Sequence, residues 1–594
     1  MDRLKPVIVI LAAALLTACA PVSQPEINYD PAGLRFDGEQ AYTTEADFVG
    51  RFPCRHSGAP NNRAAAEWLL ERFTSYGLTC EMQEWQIINY SLPTDLQNVA
   101  CRLPGQSPQE ILIVAHHDQS PDTIEGADND ASGISILLQL AEIFASEGTP
   151  RYTLAFVSTD AEEYGMIGSF HYVRTHPNVD DILAGMSLDN LGHDYYDAMN
   201  MELIGQYRNY GPIWMALTLR DAAAAANLWQ VNLRSPLDQI LDQAGPISFM
   251  DQGPMVAAGI PALGMTGHVP PEFAQLHFDL WHRPEDTMEH QSAEALGNAG
   301  LVAEAFARQM LAMDEFPRDL GPYIYFDDSG TILQGAPLTA VFVGFVGIFI
   351  AGSLLTLPPG WKAKVESRLR TLPHFLSLWL PLLAGLLTLY AFVTVGLMDK
   401  YDTYPATSKD AHIYNPRWAA VILFIVALAV YFYLMRRLAA FWQRRPFSSQ
   451  DGSTPKSVGM PLQQPSFKDT KSLVLGVVGV TGVYVLFANA FSLLFMAPLL
   501  FWFLIAGRKG AGGKALDLLL FLLGGLVFYG LFYFFGFVVY DYSWAFAWFL
   551  LMMFSIRMIG FWTAVAITAI AGAGLSLVVE PTNWGNGSRF NVEG

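Results

Sequence analysis

After Lys5, lysine is missing from the first half of this 594-residue chain. Between Ala20 and Ala336 none occurs, and about 44 acidic residues face about 14 basic ones, all of them arginine. Phosphate binding needs clusters of lysine and arginine, so this half excludes a nucleic-acid partner and suits amines or metal cations. Cysteine is scarce too. Cys54, Cys80 and Cys101 lie in the acidic half with no CxxC or Cys–His spacing, which argues against a thiolate metal site. One disulfide with one free thiol is compatible with an exported protein, and the pairing is left open. Charged residues are only 15% of the total because the chain from Pro337 onward is dominated by long apolar runs. Two halves so unlike imply several domains.

The first nineteen residues join a basic start (Arg3, Lys5) to an apolar core, Val7 to Leu16, too short to span a bilayer comfortably. Leu16-Thr17-Ala18-Cys19 resembles the bacterial lipobox, which would make Cys19 a lipidated residue; an ordinary signal peptide or short anchor is the plainer reading. Either way, the acidic half behind it is exported. Residues 20–42 read as a spacer, 43–317 as a folded domain and 318–336 as a linker.

Within 43–317 the pattern is α/β. Ile111 to Ala115 and Thr153 to Val157 are short apolar, β-branched runs of the kind buried parallel strands need. Between them Ser132 to Ser146 carries Ile134, Leu137, Leu138 and Ala141 on one helical stripe, so strand, helix and strand form a parallel crossover. Ala64 to Gly77 reads as a covering helix, Leu183 to Leu188 and Ile260 to Met265 as further strands, and Ser292 to Met313 as a closing helix. A mixed, mostly parallel sheet flanked by helices is therefore expected.

Polar groups cluster where these strands end, the place where open α/β sheets hold ligands. His116 ends a strand, and Asp118, two residues on, can lie on the same face and orient its imidazole. Of the adjacent pair Glu162-Glu163, one carboxylate can bind metal while the other accepts a proton from water. Asp189 and His282 supply another carboxylate and imidazole, so the donor chemistry suits zinc. A strand-end His or Asp taken singly is more often a capping or surface residue; the weight lies in the set. His117 should face away from His116 and reads as packing or surface, and His277 and His290 as surface histidines. Asp251 and Tyr164 are candidate pocket residues, Asp251 toward a substrate amine, with solvation and core packing as the plainer alternatives; Trp281 is similar.

The series AHHD, GADNDASG, DAEEYGMIGS, SLDNLG and GIPAL followed by HRPEDT, with RFPCRHSG before it, resembles metallopeptidase family 28, the co-catalytic zinc aminopeptidases, over about Phe48 to Met313. The resemblance implies His116 and Asp189 on one zinc, Glu163 and His282 on the other, Glu162 as general base and Asp118 as the residue orienting His116. One position departs from the pattern. The family's usual loop is GADDNASG, whose fourth residue is the aspartate bridging both metals; here that place holds Asn129, between Asp128 and Asp130. A neutral amide should bridge two cations poorly. Three readings are open: a loop shift brings Asp128 or Asp130 to the metals, the second zinc is weak, or the protein binds without cutting.

From residue 337 to 579 the apolar segments predict an all-α transmembrane bundle of seven or eight helices, with a tail at 580–594. Pro337–Leu357, Phe375–Met398, Trp418–Met435, Ser472–Ala490 and Phe491–Ala506 are the first spans, and the stretch from Arg445 to Lys471 reads as a flexible linker. Basic groups such as Lys362, Lys364, Arg368 and Arg370 alternate with non-basic loops, which places the acidic domain outside the cytoplasm of a bacterial cell as part of a multi-pass membrane protein. Few ionisable residues fall within the spans, so an anchor is favoured over a transporter. The whole reads as a zinc-dependent aminopeptidase acting on peptides, with two alternatives: a glutaminyl-cyclase-like enzyme, or a catalytically degenerate peptide-binding membrane protein.

Overall fold

The computed structural model describes residues 20–21, 26–89, 92–319, 321–356, 360–395, 397, 418–443 and 467–496. The lipobox with Cys19, the stretch 399–417, most of 445–471 and every span expected beyond 496 lie outside the described residues. Two compact units divide in sequence near Thr339 and Ala340.

The first unit is built on an eight-stranded sheet. In chain order its strands are β1 (Thr79–Asn89), β2 (Leu92–Leu103), β3 (Ser107–His116), β4 (Tyr152–Thr159), β5 (Ile182–Leu188), β6 (Met199–Glu202), β7 (Val231–Asn232) and β8 (Ala262–Gly267). In space they run β1-β2-β4-β3-β5-β8-β6-β7. The central neighbours β4, β3, β5 and β8 are parallel, and β1, β2 and β6 add antiparallel pairings. The mixed sheet is thus as expected, flanked by α1 (Gly38–Arg51), α2 (Pro60–Ser75), α3 (Gly133–Ser146), α4 (Ile167–Thr175), α5 (Ile213–Ala225), α6 (Pro236–Ala244), α7 (Gln252–Ala257), α8 (Ala274–Leu280) and α9 (Ala293–Ala312).

Strand alternation explains why β3 has no polar face. Ile111, Ile113 and Ala115 pack in one core with residues of α1, α2, α3 and α9, whereas Leu112 and Val114 pack in another with Tyr172 of α4 and Met255 of α7. All five are essentially unexposed. Each buried aliphatic side chain of this size contributes about 1.5–3 kcal/mol, so the centre of the sheet is held from both sides and its polar strand ends are fixed in place.

Cys80 and Cys101 stand directly opposite each other in the β1–β2 pairing and form a disulfide, which leaves Cys54 free and exposed. The domain reaches beyond 43–317 at both ends. In the expected spacer Tyr29 and Phe36 are buried, and α1 starts at Gly38. In the expected linker β9 (Tyr323–Phe326) and β10 (Thr331–Gln334) form a hairpin, and Ala20–Pro21 pairs with the outer side of β10. Gln239 and Gln243, one turn apart on α6, act as a substitute strand for β9. Each amide bonds both backbone groups of one tyrosine: Gln239 receives Tyr325 N at 2.8 Å and donates to its carbonyl at 3.0 Å, and Gln243 does the same for Tyr323 at 3.3 and 2.7 Å. An alternation of apolar and polar residues four long is too short to stand out in sequence, and its partner is a helix.

The second unit holds α10 (Ala336–Thr356) from Ala340 onward, α11 (Trp361–Thr394), α12 (Trp418–Gln443) and α13 (Phe467–Ala488). Among the described residues two helices are long and apolar enough to cross a membrane, Ala336–Leu355 and Ile422–Phe441. Of the expected bundle of seven or eight, these residues show two. The basic stretch from Lys362 to Arg370, expected as a loop, is the first part of the 34-residue helix α11, which carries Pro373 and Pro381 inside it. Helices α10 and α13 are joined by a reciprocal pair in which the hydroxyl of Ser353 donates to the carbonyl of Ser472 at 2.7 Å and that of Ser472 to the carbonyl of Ser353 at 2.8 Å.

Candidate metal centre

The carboxyl ends of β4, β3 and β5 lie side by side, and each delivers part of one polar cluster. His116 is the last residue of β3, Glu162 and Glu163 follow β4, and Asp189 follows β5. His282 arrives from the loop after α8. Ala161, Asn190 and His282 have φ of +58°, +55° and +58°, so the backbone takes up a left-handed conformation beside each group of candidate ligands. Such conformations cost roughly 1–3 kcal/mol each and persist only where the surroundings impose them.

His116 Nε2 is the centre of the cluster. It is buried without a hydrogen-bond partner, yet Asp189 Oδ1 lies 3.8 Å away, Glu162 Oε2 3.9 Å and Asp130 Oδ2 4.0 Å. The ligand atoms of His116, Asp130 and Asp189 all fall within 4.8 Å of one another. An unpaired imidazole nitrogen ringed by carboxylate oxygens, too far for hydrogen bonds and too close for mutual comfort, is the arrangement a divalent cation relieves, and imidazole plus carboxylate is a donor set zinc accepts. The residues fit the metal.

Asp118 aligns both sides of this centre. Its carbonyl oxygen is 3.1 Å and its Oδ1 3.4 Å from His116 Nδ1, leaving Nε2 directed at the cluster. Its carboxylate also accepts the backbone N–H groups of Glu162 at 3.1 Å and Glu163 at 3.3 Å, which fixes the turn after β4. Burial disfavours a charged His116, but Asp118, Asp130, Asp189 and Glu162 together outweigh it and hold its pKa well above the ordinary value. Burial first, then repulsion from Asp189, Glu163 and Asp251, pushes the Glu162 carboxyl well up against the pull of His116.

The loop Ala127–Ser132 places its three consecutive polar residues differently. Asp130 accepts His116 N at 3.1 Å and Gly133 N, at the start of α3, at 2.9 Å. Only glycine fits at 133, because a Cβ there would lie 2.4 Å from Asp130 Oδ1. Asp128 turns away to accept Gly192 N at 2.8 Å and the Tyr196 hydroxyl at 2.7 Å. Asn129 Nδ2 donates to Glu163 Oε1 at 2.9 Å, and His282 Nε2 stands 3.1 Å from the same oxygen. Of the three readings left open by the sequence, the loop brings Asp130 rather than Asp128 to the cluster.

The remaining candidates separate. His117 is fully buried and bonds Ser158 Oγ at 2.8 Å, a packing role, with burial pushing its pKa down to about 3. His277 bonds the Tyr195 hydroxyl at 3.0 Å and is half-buried rather than a surface residue. Asp251 is buried, not solvated, and accepts Thr159 Oγ1 at 2.5 Å; burial raises its pKa to about 7. Tyr164 is half-buried, and Trp281, 40% exposed, stacks on His282 with ring centroids 4.0 Å apart.

Two residues to which the sequence assigns no role hold the loop in place. Arg55 is wholly buried and donates to the carbonyls of His117 (2.9 Å), Gly126 (2.7 Å) and Glu125 and to Gln119 Oε1 (2.9 Å). Asp286 accepts Asp128 N at 2.8 Å and Asn129 N at 3.2 Å. Both sit inside the motifs RFPCRHSG and HRPEDT, but their partners are backbone groups that spacing does not reveal.

A model of peptidase family M28 matches residues 98–307. Residues 98–307 therefore match as a peptidase family M28 domain. The chain is 27% identical over 222 residues to the aminopeptidase YwaD of Bacillus subtilis, covering 36% of this chain and 44% of that protein. The chain spans about half or less of the length of the first curated relatives it matches. Among solved structures it is similar to a zinc aminopeptidase from Bacillus subtilis (TM-score 0.39, 16% identity, 47% of this chain and 96% of that one). A Porphyromonas gingivalis glutaminyl cyclase is similar to the same degree (TM-score 0.41, 21% identity, 47% and 100%). The matched stretch of the M28 domain contains every candidate metal ligand, and Arg55 precedes it.

Glu202 gives the M28 domain a pH dependence. It is half-buried beside the Asp251 loop, accepts Phe249 N at 3.2 Å and Gln252 Nε2 at 2.8 Å, and the loss of solvent around its carboxyl lifts its pKa to about 7. Its folded pKa exceeds the unfolded one, so between these values the folded state holds the extra proton and stability falls as pH rises. The domain should lose on the order of 3 kcal/mol between about pH 4.5 and 7 from this group, and a Glu202→Gln variant should show a flatter profile in thermal denaturation across that range.

Proposed function

We propose that the M28 domain is a zinc-dependent aminopeptidase that removes amino-terminal residues from peptides outside the cytoplasm. The observation that carries the reading is His116 Nε2, buried, unpaired and ringed by Asp130, Asp189 and Glu162. Zinc bound there supplies a Lewis acid for the scissile carbonyl and makes water more acidic. Glu162 stands at the edge of that ring and is the base that takes the proton of the attacking water and returns it to the leaving amine. Asp118 keeps His116 in one tautomer and holds the Glu162–Glu163 turn. Asp251 and the surrounding carboxylates favour a protonated amino terminus, and the Trp281 ring stacks on His282.

Membrane attachment is supported by the helices Ala336–Leu355 and Ile422–Phe441. The amino-terminal segment, with Cys19 as a lipidation site, supports export to the extracytoplasmic face of a bacterial membrane. The test is mass spectrometry of a peptide library incubated with the full-length protein in detergent and zinc, each peptide present with free and acetylated amino termini. Stepwise loss from free amino ends alone is the expected result. Loss of ammonia from amino-terminal glutamine would replace this reading with a cyclase, and an unchanged library would replace it with a peptide-binding protein.

A further inference from the structure

We infer that this centre holds one metal ion tightly, on His116, Asp130 and Asp189, and that the position at Glu163 and His282 is a weak second site because Asn129 stands between them. The inference rests on reading the cluster as a metal centre and adds its stoichiometry and its ligand set.

The two positions are unequal in charge. The first offers two carboxylates and an imidazole whose ligand atoms are all within 4.8 Å, and His116 is 1% exposed. Among the described residues this is the group of three or more such donors that is close enough to share an ion. The second offers one carboxylate and one imidazole, and the His282 side chain is 25% exposed. Metal affinity follows the number and charge of the ligands and the rigidity of the site, so the first position should outbind the second.

Asn129 widens the difference. Its Nδ2 and His282 Nε2 both approach Glu163 Oε1, at 2.9 and 3.1 Å, so that oxygen is already satisfied without a cation. The amide cannot reverse at no cost, since its oxygen would then face a carboxylate oxygen. Its Oδ1 is left buried and unpaired, a single neutral donor. Two cations in adjacent positions repel each other, and an anion shared between them is what offsets the repulsion. Asn129 brings none. Asp130 does not substitute for it, because its carboxylate is held on the His116 side of the loop by His116 N and Gly133 N, with Oδ2 4.0 Å from His116 Nε2.

The test is zinc stoichiometry of the full-length protein in detergent, stripped with chelator, then titrated with Zn2+ against a chromophoric competitor, with elemental analysis after dialysis. One zinc per chain is expected to survive dialysis, a second binding at least about tenfold more weakly. Asn129→Asp should retain two, whereas His282→Ala should still retain one. Asp130→Asn should lose the tight ion, and the Asn129→Asp and His282→Ala results decide the matter even where that variant does not fold. Two equally tight zincs in the natural protein, or loss of the tight ion in His282→Ala, would overturn the inference while leaving the peptidase reading intact if peptides are still cut. No zinc retained by either the natural protein or Asn129→Asp would remove the metal centre itself.

Discussion

Glu162→Gln is expected to lower peptide hydrolysis by about 10²- to 10⁴-fold, the usual loss when a positioned acid–base group is removed. The amide keeps the shape of the carboxylate, and the backbone N–H of residue 162 still donates to Asp118 Oδ1, so the turn after β4 is retained. Zinc retention by the His116, Asp130 and Asp189 set should therefore be unchanged, and kcat should fall with KM nearly constant. Those two readouts separate lost proton transfer from a damaged site. A variant that still cleaves at more than about a tenth of the natural rate would assign the base to another group.

Arg55→Ala should have the largest effect on stability. The side chain is completely buried and its guanidinium bonds three carbonyls and one side-chain amide between His117 and Gly126, with Phe48 stacked 4.9 Å from it. Burial lowers its pKa to about 10, against the pull of Asp286, Asp130, Asp118 and Glu45, so it remains a cation at neutral pH and offsets that negative field. Removing one partner of a buried charged network costs roughly 3–5 kcal/mol, and the loop carrying Asp130 loses its anchor. A fall in Tm on the order of 10 °C is expected by differential scanning calorimetry, with loss of zinc retention at temperatures where the rest of the domain is still folded. A shift of less than about 2 °C would mean that Phe48, Gln119 and water replace the guanidinium.

The sheet's centre was legible because β3 and β4 are apolar on both faces and end in His116 and in the turn to Glu162, so burial and chemistry change at one residue. Their flanking helix, α3, was legible for the same reason. The hairpin β1–β2 is not legible in the sequence because its faces mix Glu, Gln and Trp without clean alternation, nor is β9, because its partner is a pair of glutamines on α6. At the site, His116, Glu162, Glu163, Asp189 and His282 could be named from position at element ends, and they do converge. What spacing could not supply is orientation. Asp128, Asn129 and Asp130 are neighbours in sequence, but one faces Tyr196, one Glu163 and one His116. The deciding partners, Asp286 and Gly133 N, act through backbone amides, which leave no mark in a motif.

The small sheet that closes the acidic domain sets the outline of any portable version of it. Ala20 lies opposite Ile332 in an antiparallel pairing, so the chain enters that sheet beside the strand from which it departs toward Ala336. Both points of passage are therefore on one side, as in a cassette with a single plug. A fragment cut at residue 317 would strip Tyr323 and Tyr325 from beneath α6 and leave Gln239 and Gln243 facing solvent with no strand to serve. The excisable module is bounded instead by residues 20 and 335.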